Sequence, residues 1–179
     1  MANELAALSQ EVAAAVEAAA KHVVAVHARP RFSSSGVFWR PGVVVTAEHT
    51  IRREEEITVT LPDGSNVPAT LAGVDAGTDL AVLRVEGAGQ QAPPPAQSIA
   101  PGHLALALGR SQDSGVNATL GILSAVSGEW RTWRGGRLDN YIRLDLTLYP
   151  GSDGGLVINT SGETIGISTS ALSRIAGLA

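Results

Sequence analysis

The stretch Tyr149-Pro150-Gly151-Ser152-Asp153-Gly154-Gly155-Leu156-Val157 decides how the rest of the chain is read. Pro150-Gly151 forces a turn, and three glycines within five residues let backbone N–H groups converge on a small volume. A nest of amides of this kind is what a developing oxyanion requires. The β-like run Leu156-Val157-Ile158 follows and would hold the turn rigidly. Two side chains inside the loop have chemical potential, Ser152 and Asp153.

Two other stretches carry polar groups where chemistry could use them. Val43-Val44-Val45-Thr46-Ala47-Glu48-His49-Thr50 reads as a buried strand ending at a histidine. Gly77-Thr78-Asp79-Leu80-Ala81-Val82-Leu83 places an aspartate at the mouth of an apolar strand. An imidazole held by a buried carboxylate is a general base, because the carboxylate fixes its tautomer and stabilises its cation. Taken singly, each feature has a plainer reading: a satisfied structural histidine, a turn-forming aspartate, an ordinary Pro-Gly turn. The order His49, Asp79, glycine loop, along a two-part β pattern, makes the catalytic reading the sharper one.

That pattern is visible along the whole chain. Residues 1–21 are alanine-rich, with Leu5, Leu8, Val12 and Val16 at helical spacing, and predict an amphipathic helix packed on the body or on another subunit. Short β-type runs then cover 22–28, 35–39, 43–47, 56–61, 67–74 and 80–85, giving a first β-barrel over 22–86. Pro62-Asp63-Gly64 is a hairpin signature, since glycine accepts positive φ. Residues 87–100 contain Pro93-Pro94-Pro95, which suits neither a helix nor a central strand, and read as a linker. Runs at 104–109, 118–126, 141–146, 156–159, 164–169 and 174–179 give a second barrel over 101–179. The expected fold class is all-β, two six-stranded antiparallel barrels behind an N-terminal helix.

Composition narrows the function. With 179 residues, 44% hydrophobic and 17% charged, the chain can build a substantial core. A net charge of −4 with scattered acids argues against nucleic acid as a partner. The absence of cysteine excludes disulfides and thiolate chemistry. His22, His27 and His103 are dispersed, so no metal site is expected, and no phosphate loop or dinucleotide fingerprint calls for a cofactor. No run of ~18 apolar residues would span a membrane. The N-terminus lacks the basic and apolar segments of a secretory signal, which leaves the compartment open.

With these residues in hand, the chain resembles the protease domain of the bacterial HtrA (DegP-type) family, a chymotrypsin-fold serine protease domain. The likeness runs through Val45-Thr46-Ala47-Glu48-His49, Ile57 to Gly64, Thr78-Asp79-Leu80-Ala81-Val82-Leu83, Leu120-Gly121-Ile122-Leu123-Ser124-Ala125 and Ile142-Arg143-Leu144-Asp145. It ends with Pro150 to Gly155 and Gly162-Glu163-Thr164-Ile165-Gly166-Ile167. The resemblance implies His49 as general base, Asp79 as its orienting carboxylate, and the N–H groups of Gly151 and Asp153 as the oxyanion hole. It implies a specificity pocket from Thr147 and Leu148 and from Ile167, Ser168 and Thr169, uncharged and suited to small apolar side chains. The implied partner is a polypeptide substrate or peptide ligand, with a homo-oligomer expected from the helix. Relatives of this type are often periplasmic.

Three departures accompany the likeness: Asp153 occupies the nucleophile position, Leu156 replaces the usual proline, and the chain stops at Ala179, where relatives continue to a helix and usually a PDZ domain. An aspartate there would pair with the imidazolium, raise the His49 pKa, and put negative charge where the oxyanion must form. Peptide acylation of a carboxylate would give a high-energy mixed anhydride. One reading is therefore a proteolytically inactive or impaired domain kept for peptide binding or as a scaffold. The other is an active endopeptidase cleaving unfolded polypeptides after small apolar residues, with Ser152 or a native serine at 153 as nucleophile. Trp130-Arg131-Thr132-Trp133-Arg134-Gly135-Gly136-Arg137 reads either as a binding loop or as a hairpin covering the barrel with solvated arginines. Arg52-Arg53-Glu54-Glu55-Glu56 reads as a solvated loop with local ion pairing.

Overall fold

The computed structural model describes residues 2–87 and 90–172. A single helix, α1 (Ala2–Ala20), precedes six strands: β1 (Val23–His27), β2 (Ser34–Arg40), β3 (Val43–Ala47), β4 (Ile57–Thr60), β5 (Asn66–Asp75) and β6 (Leu80–Arg84). They close into a barrel in the order β1-β2-β3-β6-β5-β4. Its interior is filled by Val24, Val26, Phe38, Val44, Ile57, Val59 and Leu83, all buried. The hairpin expected at Pro62-Asp63-Gly64 joins β4 to β5, with Gly64 at φ +86° and the Asp63 side chain accepting from the Ser65 amide at 2.9 Å.

The second lobe is built from β7 (Leu104–Ser111), β8 (Gly115–Ser127), β9 (Trp130–Arg131), β10 (Arg137–Leu138), β11 (Tyr141–Asp145), β12 (Leu156–Ile158) and β13 (Thr164–Ile167). Among the described residues it is a curled half-barrel, a five-stranded sheet in the order β11-β8-β7-β12-β13, with β9 and β10 as a separate hairpin. The sixth run expected for this lobe, 174–179, lies outside the described residues. Both faces of β7 are covered, which is why its first five residues, Leu104–Leu108, are all apolar. Ala105 and Ala107 face the lobe's own core with Leu123, Leu144 and Val157, while Leu106 and Leu108 face the seam against the first barrel.

The helix closes that seam. Val12, Ala15, Val16 and Ala19 pack on Val23, Val37, Leu106, Leu108, Leu156 and Ile158. Arg110 of β7 donates to the carbonyls of Ala20 (3.0 Å) and Val23 (2.6 Å), satisfying the helix C-terminus with a cation at its negative end. Only part of the apolar stripe is used, because Leu5 and Leu8 point away from the body and are exposed. The proline segment is not a loose tether. Its Pro93 and Pro94 carbonyls accept from Thr164 (2.8 and 2.7 Å), and Ala96 N–H returns a bond to the Thr164 carbonyl at 2.8 Å. Proline can pair at a sheet edge in this way because it still offers a carbonyl.

Candidate active site

Strand register brings the first lobe's two site residues together. Ala47 at the end of β3 pairs with Leu80 at the start of β6, so the residues just beyond, His49 and Asp79, become neighbours. A 3-10 turn over Glu48–Thr50 aims the imidazole into the cleft. Asp79 is buried and adopts φ +60°, a left-handed conformation uncommon outside glycine, asparagine and aspartate. Its carboxylate is heavily used. Oδ1 accepts the His49 amide at 2.9 Å, Oδ2 faces His49 Nδ1 at 2.8 Å, and the Thr169 hydroxyl also donates to Oδ2. Burial works to raise the Asp79 pKa, but these hydrogen bonds outweigh it and hold the carboxyl below its ordinary value.

The second lobe contributes the glycine loop. Gly151 (φ +94°) and Gly154 (φ +83°) take conformations that favour glycine. A Cβ on Gly154 would run into Ser35 and Thr46, and one on Gly155 into the Leu108 carbonyl, so this backbone approach requires glycine. The Asp153 carboxylate lies across the imidazole from Asp79, with Oδ2 at 3.7 Å from His49 Nε2. Its Oδ1 accepts the Ser170 amide at 2.6 Å. Burial pushes the Asp153 pKa up, yet the histidine and the Ser170 amide more than offset this and leave it below the ordinary value. Held by Asp153 on one side and Asp79 on the other, against the opposing effect of burial, His49 is raised to about 9. The amides of Gly151 and Asp153 donate to no acceptor among the described residues.

Ser152 points elsewhere. It is buried, and its hydroxyl donates to Asn117 Oδ1 at 3.2 Å, toward β8. Among the residues that the resemblance assigns to a specificity pocket, Thr147 is exposed and Leu148 packs on the second-lobe core. Ser168 is committed to the loop, donating its hydroxyl to the Ser152 carbonyl at 2.8 Å. Ile167 and Thr169 do line a cavity, an apolar one of about 150 Å³ shared with Leu80, Leu138 and Leu172.

Two contributors, Ser35 and Ser170, escaped the sequence reading, and a third, Thr169, was expected only as a pocket wall. Ser35 is fully buried and ties the glycine loop to the first barrel, donating its hydroxyl to the Gly151 carbonyl (2.7 Å) and its amide to the Asp153 carbonyl (3.0 Å). Thr169 braces Asp79, and the Ser170 amide anchors Asp153. The only local hint was a serine run, Ser33-Ser34-Ser35, entering an apolar strand. The Trp-Arg stretch also reaches the site. Thr132 donates to the Gly77 carbonyl at 2.6 Å, and Arg134 lies 3.2 Å from Glu48 and 3.8 Å from Asp79 Oδ1. Trp130 packs edge-on against Tyr141, whereas Trp133 is exposed beneath the Arg134 guanidinium.

The trypsin-like peptidase domain family matches residues 34–167, well over half of the chain. The chain belongs to that family. Its relatives are HtrA-type proteases. It is 34% identical over 145 residues to the serine endoprotease DegS of Haemophilus influenzae, covering 79% of this chain and 42% of that protein. The periplasmic pH-dependent serine endoprotease DegQ of Escherichia coli is 34% identical over 134 residues, 73% of this chain and 29% of the relative. A probable periplasmic DegP-like endoprotease of Rhizobium meliloti is 33% identical over 153 residues, 83% and 30% respectively. This HtrA-type, trypsin-fold domain thus spans less than half the length of the curated relatives it matches.

Proposed function

We propose that this trypsin-fold domain binds peptide in the cleft between its lobes without hydrolysing it. The observation that carries this reading is the placement of Asp153. A carboxylate faces the base where a hydroxyl would have to give up its proton, and with His49 raised to about 9 only ~1% of the imidazole is neutral at pH 7. The Ser170 amide holds that carboxylate in place, and Ser152, the nearest hydroxyl in sequence, is engaged with Asn117 instead. The unoccupied amides of Gly151 and Asp153 remain available to a peptide carbonyl, and the relatives, named as endoproteases, act on polypeptide. The exposed Leu5 and Leu8 on α1 extend the proposal to self-association through the helix.

The test compares this chain with its Asp153→Ser variant, using unfolded casein and a fluorophosphonate probe. The original should neither cleave nor label. The variant should do both, gaining at least ~1,000-fold in turnover over the parent. Labelling of the original at Ser152, with cleavage of casein, would overturn the proposal.

A further inference from the structure

Beside the glycine loop lies a groove of about 410 Å³ that the catalytic reading does not use. Its walls include Arg29, Arg31, Arg53 and His27 from the first lobe, Pro150 from the loop itself, and Asp113 opposite. It abuts the glycine loop. Pro150 adjoins Gly151, and the Ser33 carbonyl would lie 3.1 Å from a Cβ on that glycine. Three guanidinium groups therefore gather at one end of a protein whose net charge is −4.

Two of these arginines are held by backbone carbonyls, and none is neutralised. Arg29 donates to the carbonyls of Phe32 (3.2 Å) and Ser33 (3.1 Å), and Arg53 to that of His27 (3.1 Å). A guanidinium has five N–H donors, so these few bonds orient each fork and leave donors over. None of the three makes an ion pair with a carboxylate among the described residues. The local pairing expected between Arg53 and Glu54–Glu56 does not form. Arg31 is exposed at φ +72°, a conformation that the loop imposes on a residue not suited to it. Phe32, 68% exposed, adds an apolar surface at the same rim.

We propose that this groove receives an acidic stretch of the bound peptide, selecting ligands that carry carboxylates next to an apolar residue. The inference rests on the reading of the cleft as a peptide site and assigns the chemistry of the peptide's continuation. Oriented guanidinium forks match carboxylates in charge and geometry, and the contact is stronger than a neutral hydrogen bond. Asp113 across the groove and the Glu54–Glu56 run beside Arg53 would repel a continuous polyanion, which favours a short acidic peptide over nucleic acid.

Fluorescence anisotropy on the intact chain tests it. The probes are a dye-labelled octapeptide of alanine and valine ending in leucine and two glutamates, and its twin with two glutamines. The glutamate peptide should bind about tenfold more tightly at ~50 mM salt, with the gap narrowing at ~300 mM. Arg31→Gln and Arg53→Gln, both at exposed side chains, should each shrink the gap while leaving the glutamine peptide's affinity unchanged. Equal binding of both peptides by the parent chain overturns the groove and leaves the cleft reading standing. Failure of both peptides to bind overturns both. Displacement by a single-stranded oligonucleotide as effective as the unlabelled peptide marks a general polyanion site and also overturns the proposal.

Discussion

One imidazole between two carboxylates is an unusual charge arrangement for a hydrolytic site. In a working triad one carboxylate orients the base and a neutral hydroxyl faces it. Here the second carboxylate stabilises the protonated ring from the other side, and Asp153 is the leading cause of the raised His49 pKa. Asparagine has nearly the same shape without the charge. Asp153→Asn should therefore drop the His49 pKa clearly below 9 while leaving the fold intact, read by following the imidazole resonances against pH. An unchanged titration would mean that Asp79 alone sets the value. Asn117→Leu asks a separate question, because it removes the acceptor of the Ser152 hydroxyl. Without Asp153→Ser it should not create casein cleavage, and turnover appearing in the single variant would show Ser152 to be a latent nucleophile.

At the scale of elements, the glycine loop is as much a product of β2 as of its own sequence. Ser35 on β2 carries three bonds at once: its hydroxyl to the Gly151 carbonyl, its amide to the Asp153 carbonyl, and acceptance from the Arg110 amide at 2.9 Å. Ser35→Ala deletes two of them at a fully buried position and leaves the Gly151 carbonyl and the Arg110 amide without this partner. The cost should be roughly 2–4 kcal/mol, with the bonded loop amides of Ser152, Gly154 and Gly155 losing hydrogen-exchange protection before the barrels do. Normal protection there would reduce Ser35 to a packing residue. The same element explains what was legible in the sequence. The strands that carry His49 and Asp79 declare themselves by apolar runs, and the loop by its glycines, because those signals are local. Ser35 and Ser170 reach the site only through the pairing of distant segments, and the contacts of Thr169 with Asp79 and of Arg134 with Glu48 arise in the same way, so the sequence marks those two only as a pocket wall and a loop arginine. The sheet edge at Pro93–Pro95 was hidden for a related reason. Proline signals a break locally, while its carbonyls still serve Thr164, which lies far along the chain.

Across the whole molecule, the site is a bond between lobes. His49 and Asp79 belong to the first barrel, and Asp153, Thr169 and Ser170 to the second, so the His49–Asp153 pair and the Thr169–Asp79 hydrogen bond tie the two lobes together. Stability should then follow the charge state of this cluster. His49 is raised in the folded protein, from 6.5 to about 9. Its contribution is fully present below about 6.5 and is lost as pH rises through about 9. Asp79 and Asp153 are depressed in the folded state. Their contribution is present above the ordinary carboxylate range near 4 and is lost as pH falls below it. The cluster thus favours the folded state most between about pH 4 and pH 6.5. The alkaline loss amounts to about 3 kcal/mol at most, since a pKa unit corresponds to 1.4 kcal/mol and the ring is partly solvated. Urea midpoints at pH 6, 8 and 10 should decline in that order. In Asp153→Ser the decline should be smaller and be complete at lower pH, because only Asp79 then supports the charged ring. A parent whose midpoint holds level from pH 6 to pH 10 would mean that the ion pair does not bind the lobes. The clamp would then reside in the apolar seam of Val12, Val16, Leu106, Leu108 and Leu156, side chains that do not titrate.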